Sequence, residues 1–449
     1  MTSRANRDPR SSEPRRPGRF TAGIVTVLAF AVLGVLGAAA ATGTFSTPPA
    51  PTASTEPSTP PPSPEEPEPS ETSPAPEPTT DPPSLPATFT ILAAGDVLPH
   101  TTVQRNAETG DGGWDFSPLW EPVTPWVQAA DLALCHLEVP VAPTGTDPVG
   151  YPVFGAPPAI VADLADGGWD GCSTASNHSV DMGRAGLEQT LDALDAAGMG
   201  HVGTARTEAE AAQPQLYQLE REGQVVTVAH LSATYGTNGL PIPSDAPWSV
   251  QLIDVDQLNA QAAAARESGA DLVLASVHCC EEYTDTPVPR QVEIAQDLAA
   301  GGQIDLLIGN HSHVPQPMEM LPGGPGGSGM WVAYSMGNFI SNQDENCCRS
   351  QTGTGTLMWA TVERPPEGPA RVTGLEWTAV PGDRLGAQRI YAMPDLLTER
   401  VDAPLLTLSR TELERRQQQV LDVIGTQVPE RTEPPVPTGA APVVVPRPR

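Results

Sequence analysis

The stretch 304–317, IDLLIGNHSHVPQP, constrains this chain more than any other. Ile304, Leu306, Leu307 and Ile308 make an apolar run short enough for a buried strand, and Gly309-Asn310 ends it. His311 and His313 follow at its mouth, and on a loop leaving a strand such a pair can aim both imidazoles at one point. Imidazole is the commonest protein metal ligand. Three further strand-like runs end alike: 89–94 in Gly95-Asp96, 132–135 in His136-Leu137-Glu138, and 272–277 in His278. A fourth, 169–172, leads into Thr174-Ala175-Ser176-Asn177-His178. Open α/β sheets bind ligands at the carboxyl ends of their strands, so these ends define one candidate site.

Each residue type has a chemical reason to be there. Asp96 stands where a carboxylate leaving a strand can reach a cation, and His100 could join it through a tight loop. Glu138 ends an otherwise apolar strand, and a buried carboxylate must be paired or coordinated. Its two oxygens can bridge two ions roughly 3.5–4 Å apart. His136 reads as a structural histidine. Asn177 offers an amide oxygen and His178 a proton for a leaving group, while Asp181 either orients that imidazole or caps the following helix. With His278, His311 and His313 this is a mixed nitrogen and oxygen set. It points to one or two divalent ions, Mn, Fe or Zn rather than Mg or Ca. In YSMGNFI a strand is expected to turn sharply at Gly337 and bring Asn338 to the site. Glu282, Tyr283 and Asn338 are the candidates for touching substrate.

Composition bounds what surrounds the site. A net charge of −30 over 449 residues argues against nucleic acid as a partner, which needs a basic face. The 52 prolines and 41 glycines, with the prolines concentrated towards the ends, reduce the foldable part to one large domain. Residues 1–19 form a basic segment, and 20–45 carry no charge, long enough to span a hydrocarbon core of roughly 20 residues. The basic flank stays inside, which makes this a single-pass signal anchor at the cell membrane with the main domain extracytoplasmic. Small residues at 38–41 leave a cleaved signal peptide, and so a secreted protein, as the alternative. The stretch 46–86 reads as a Pro-rich disordered linker. An α/β domain is expected over 87–385, where helical patterns at 187–197, 255–268 and 291–300 alternate with strands and Gly198 and Gly269 sit at C-caps. A helical extension over 386–431 and a disordered tail over 432–449 complete the chain.

The cysteines are Cys135, Cys172, Cys279, Cys280, Cys347 and Cys348, an even number without zinc-finger spacing. In an exported domain they are expected as disulfides, Cys135 with Cys172 on neighbouring strands and the two doublets with each other. Buried reduced cysteine is the alternative.

Taken in order, GDVLPH, CHLEVP, ASNHSVDMGRAGLEQTLDAL, VHCCEEYTDTP, DLLIGNHSHVPQP and YSMGNFI resemble the CapA-type poly-gamma-glutamate capsule biosynthesis proteins, within the calcineurin-like metallophosphoesterase superfamily. The resemblance implies a four-layer α/β/β/α sandwich of the metallophosphoesterase type with a metal site at strand ends. It would place Asp96 and His313 on one ion, Glu138 as a bridge, Asn177, His278 and His311 on a second, and His178 as proton donor. Three positions depart from the superfamily pattern. Leu98 stands where Asp-x-His has its histidine, the bridging group is Glu rather than Asp, and Cys279-Cys280 replaces the usual Trp-Gly after His278.

Three functions fit this reading. The first is a membrane-anchored CapA-like protein assisting synthesis, export or anchoring of poly-gamma-glutamate or a similar anionic envelope polymer, beside membrane-bound synthesis proteins. Its metal site could hydrolyse phosphoester or amide bonds. The second is a non-catalytic module whose metals, with Arg184, Arg206, Arg290 and Arg349, grip the polymer's carboxylates. A secreted metallophosphodiesterase is the third.

Overall fold

Alternation of buried side chains sets the layers. In β1 (Ala87–Val97), Phe89, Ile91 and Ala93 enter one core while Leu92 and Ala94 enter another. A strand buried on both faces must be covered on both, so β1 belongs to a sheet between two layers. The structure is a computed structural model that describes residues 85–436 and 439–449. The expected basic segment, apolar span and nearly all of the linker lie outside the described residues. Among the described residues no helix is long and apolar enough to cross a membrane.

Further strands follow in chain order: β2 (Leu132–Leu137), β3 (Gly171–Ser173), β4 (Gly200–Val202), β5 (Gln215–Arg221), β6 (Gln224–Thr234), β7 (Leu272–His278) and β8 (Leu306–Asn310). Then come β9 (Met318–Leu321), β10 (Met330–Ala333), β11 (Asn338–Ile340), β12 (Thr354–Arg364), β13 (Arg371–Asp383), β14 (Arg389–Ile390) and β15 (Val443–Val445). One sheet runs β14-β13-β12-β1-β2-β3-β4, with β11 also pairing β1, and the other runs β15-β5-β6-β7-β8-β10-β9. Between them Phe89, Ile91, Leu132 and Leu134 meet Val226, Val228, Leu272, Leu274, Leu306 and Ile308. Helices Ala159–Asp166 and Gly183–Ala196 cover the first sheet's outer face through Ile160, Leu164, Leu187 and Leu191. Helices Val255–Glu267 and Pro289–Ala300 cover the second through Leu258, Ala262, Ile294 and Leu298. Each fully buried Leu or Ile contributes about 1.5–3 kcal/mol, so the three cores together hold four layers, α/β/β/α.

Parallel pairing gathers the functional ends. β1 to β4 run parallel, as do β6, β7, β8 and β10. Asp96 therefore lies level with His136 across one sheet, and His278 with Asn310 across the other.

Two expectations are corrected. The tail is not wholly unstructured: β15 pairs antiparallel with β5, and Arg447 is buried against Glu210, His201 and the Thr204 carbonyl. Three successive valines suit the open edge of β5, and that edge lies far away in sequence. The cysteine doublets do not pair with each other. Cys135 is joined to Cys172, but Cys279 is joined to Cys280, and Cys347 and Cys348 are free. Strand alternation seats the first of them: His278 faces the inter-sheet layer, so Cys279 points into the helix-covered core, whereas Cys347 is exposed.

Candidate metal centre

Asp96 reaches the centre through a break in β1. The pairing of β1 with β2 shifts register between Ala93 and Asp96, and the Asp96 N–H donates to the Gly337 carbonyl at 2.9 Å. Glycine is required at 95, where a Cβ would lie 1.8 Å from that same carbonyl oxygen. Gly337 has φ +68, the sharp turn expected of YSMGNFI. His311 and His313 have φ of +96 and +59, a region non-glycine residues seldom occupy. Such strain persists where surrounding structure holds it, as the loop around both rings does here.

The centre is buried and short of protein partners. Both carboxylate oxygens of Glu138, Oδ1 of Asp96 and Nδ1 of His311 are buried without a hydrogen-bond partner, while Asp96 Oδ2 lies 2.9 Å from His313 Nδ1. Leaving one such atom unsatisfied costs about 1–3 kcal/mol, more when it is charged. Ligand atoms of Asp96, Glu138 and His313 lie within 4.8 Å of one another, as do those of Glu138, His278 and His311. Glu138 is common to both groups, the position a bridging carboxylate needs. Asp96, His136 and His278 form a third group, and Glu282, His311 and His313 a fourth. Asn177 Oδ1 lies 2.7 Å from His278 Nε2. This donor set fits one or two divalent ions, because a cation is what satisfies several orphaned carboxylate oxygens and imidazoles at once.

Charge confirms the tension. Burial pushes the Asp96 carboxyl up, but His313, with His136 and His311, outweighs it and holds the group below its ordinary value. Burial raises Glu138 well above the usual carboxylate range. Burial would lower His313, yet Glu138 and Asp96 carry it up to about 9. Burial depresses His136 to about 4 and His311 to about 3, and with its neighbouring imidazoles it holds His278 well below the histidine range.

Beside the cluster opens a cleft of about 560 Å³, lined by His178, Asp181, Glu282, Tyr283, Phe154 and Tyr151 among others, with no arginine in its wall. Asp181 Oδ2 accepts from His178 Nδ1 and from the Phe154 N–H, both at 2.7 Å. Asp181 is not the helix cap, since Met182 holds that position, and its carboxylate is engaged by the His178 ring instead.

The expected residues come together with two exceptions. His100 belongs to none of the close ligand groups, its Nδ1 being engaged by the Leu98 carbonyl at 3.0 Å and by the Asn342 N–H at 3.2 Å. Asn338 is buried, and its amide bonds the His313 ring and carbonyl, Gln343 and the Thr352 carbonyl. It braces the histidine loop instead of facing substrate. Of the four arginines, Arg184, Arg206 and Arg290 are tied up in ion pairs with neighbouring carboxylates. Sequence reasoning passed over Tyr235, whose ring lies 4.7 Å from that of His311, and Asn238, which holds the Asn177 amide. The signal was present in QVVTVAHLSAT, whose alternation marks β6 and whose end lies level with His278.

A four-layer α/β/β/α sandwich with carboxylates and imidazoles converging at its strand ends defines the class, the architecture that the resemblance to metallophosphoesterases implies. Within it the chain belongs to the bacterial capsule synthesis protein PGA_cap family, whose model matches residues 90–343. The chain is 26% identical over 264 residues to the capsule biosynthesis protein CapA of Bacillus anthracis, covering 57% of this chain and 60% of that protein. It is 26% identical over 389 residues to a "Probable polyglutamine synthesis accessory protein" of Mycobacterium tuberculosis, covering 72% of this chain and 98% of that protein. Among solved structures it is similar to the NAD nucleotidase of Haemophilus influenzae, at TM-score 0.41 and 14% identity, over 78% of this chain and 58% of that one.

Proposed function

We propose that this protein is a membrane-anchored, extracytoplasmic accessory in making, exporting or anchoring a polyglutamate-type envelope polymer, and that its centre holds divalent metal. The names of its relatives support the polymer role, and the uncharged stretch 20–45 supports the anchor. One observation carries the metal: two carboxylates, Asp96 and Glu138, with three of their four oxygens lacking a hydrogen-bond partner, buried among His278, His311 and His313. Asp96 and His313 would serve one ion, Glu138 both, and Asn177, His278 and His311 the other, with Mn, Fe or Zn favoured by the nitrogen content. A divalent ion bound there supplies charge that stabilises a developing oxyanion. The chain's own residues do the rest. His178, held through Nδ1 by Asp181, turns Nε2 to the cleft, where it can give a proton to a phosphoester or amide leaving group.

The test is metal content and hydrolysis measured together on the purified chain, with Asp96→Ala and His311→Ala beside it, against phosphodiester, phosphomonoester and poly-gamma-glutamate. Near-stoichiometric metal and turnover that both changes abolish are expected. A chain that binds no divalent metal would sink the reading. A second reading, metal-dependent binding without turnover, is favoured by Leu98 and by the contacts of His100 Nδ1 with the Leu98 carbonyl and the Asn342 N–H, which leave the first ion one nitrogen short. It predicts bound metal, polymer capture that chelators reverse, and no hydrolysis.

A further inference from the structure

His136 has no place in the ligand set proposed above, yet it is 98% buried at the back of that set. It shares strand parity with Leu132 and Leu134, so it faces the inter-sheet layer. There it sits in a chain of close polar contacts. Ser173 Oγ lies 2.8 Å from His136 Nδ1, and His136 Nε2 lies 2.9 Å from His278 Nδ1. His278 Nε2 then meets Asn177 Oδ1 at 2.7 Å, and Asn177 Nδ2 donates to Asn238 Oδ1 at 3.2 Å, which keeps the amide oxygen turned to the ring.

Two facing nitrogens at hydrogen-bond distance share one proton, so the chain has two self-consistent arrangements. In one, Ser173 donates to His136 Nδ1, His136 Nε2–H donates to His278 Nδ1, and His278 Nε2–H donates to Asn177. In the other the direction reverses. His278 Nδ1–H donates to His136 Nε2, His136 Nδ1–H donates to Ser173, and the Ser173 proton turns to the Cys135 carbonyl, 3.5 Å away. His278 Nε2 is then bare, facing Asn177 Oδ1 and, at 3.8 Å, Glu138 Oε1. Three lone-pair atoms around one point are stable only with a cation among them. The chain carries three protons in both arrangements, so reversal releases none on balance.

We propose that His136 is a positioning residue: it fixes the tautomer of His278, and the Ser173–His136–His278 chain reverses direction when a divalent ion enters between His278 and Glu138. The proposal rests on the divalent-metal reading above. Histidine ligands ordinarily give their second N–H to a carboxylate or carbonyl. Here a neutral imidazole takes it, which adds no negative charge behind the ion.

The chain has 8 histidines, so selective 15N labelling of histidine in the full protein gives a readable spectrum of ring tautomers. Zinc is the probe, and disappearance of one signal in His278→Gln assigns the ring. His278 is expected as the Nε2–H form without zinc and the Nδ1–H form with it. Zinc affinity should fall about ten- to a hundredfold in His136→Leu. It should stay within about threefold of the unaltered chain in His136→Gln, whose amide can accept from His278 and donate to Ser173. If the glutamine form loses as much as the leucine form, His136 is itself a ligand and the proposal fails. It fails equally if a folded His136→Leu chain keeps full affinity, or if His278 stays Nε2–H with zinc bound. No zinc uptake by the unaltered chain would remove the metal reading and this one together, whereas uptake indifferent to His136 removes this one alone. Beyond the unaltered chain the tautomer measurement needs only His278→Gln, for assignment, so it decides the matter whether or not the His136 variants fold.

Discussion

A single missing Cβ shows how far the centre depends on its backbone. Gly95 packs so closely on the Gly337 carbonyl that alanine would place a carbon 1.8 Å from that oxygen. Two rigid backbones meet there, so neither can yield as a flexible side chain would. Gly95→Ala is expected to cost about 1–3 kcal/mol as overpacking, and to move the Asp96 carboxylate that β1 delivers one residue later. Calorimetry should show a melting point lower by several degrees, and divalent-metal binding should weaken more than tenfold. An unchanged melting point with full metal content would show that the turn adapts. His311, His313, Asp96 and Glu138 were legible in the sequence because such residues at the ends of apolar strands have few other uses. The work of His136 was not legible. It depends on a register shift between Ala93 and Asp96 and on the facing of Ser173, and neither leaves a pattern in the letters.

Elements long enough to show a period were readable, and short ones were not. β1, β7 and the helix Val255–Glu267 repeat their apolar positions often enough to announce themselves. β3 and β4 have three residues each and show no period, and the three residues of β15 find their partner only in the folded chain. Between β2 and β3, Cys135 and Cys172 are opposed in register and bonded across 37 residues. Closing a loop of that size restricts the unfolded chain by about 2–4 kcal/mol, whereas Cys279–Cys280 closes none. Replacing Cys135 and Cys172 together by alanine is therefore expected to cut the unfolding free energy by about 2–4 kcal/mol. Replacing Cys279 and Cys280 should change it by under about 1 kcal/mol through loop closure. Urea titration of the two double variants compares them directly, and equal losses would contradict the loop argument.

Across the whole molecule, the four-layer architecture could be read from order and motif, while its acid sensitivity appears only once the sheets face each other. The layer between them encloses imidazoles that are neutral when folded. His230 is fully buried, its Nε2 beside Ser276 Oγ at 2.8 Å, and burial depresses it to about 3. It lies outside the proposed ligand set, so its titration can be followed with or without metal. In the unfolded chain a histidine titrates near 6.5. Below that pH the unfolded state binds a proton that folded His230 refuses, so stability is full above about 6.5 and is lost as pH falls towards about 3. One such group contributes about 1.4 kcal/mol per pH unit across that window. His230→Gln removes the proton while keeping a side chain able to bond Ser276. Between pH 6.5 and 4.5 the glutamine chain is expected to lose about 2–3 kcal/mol less unfolding free energy than the unaltered one. Urea unfolding at the two pH values, with chelator present in all samples, measures that difference. Parallel losses would mean that the inter-sheet layer admits a proton at His230, and that acid unfolds the protein through its carboxylates instead.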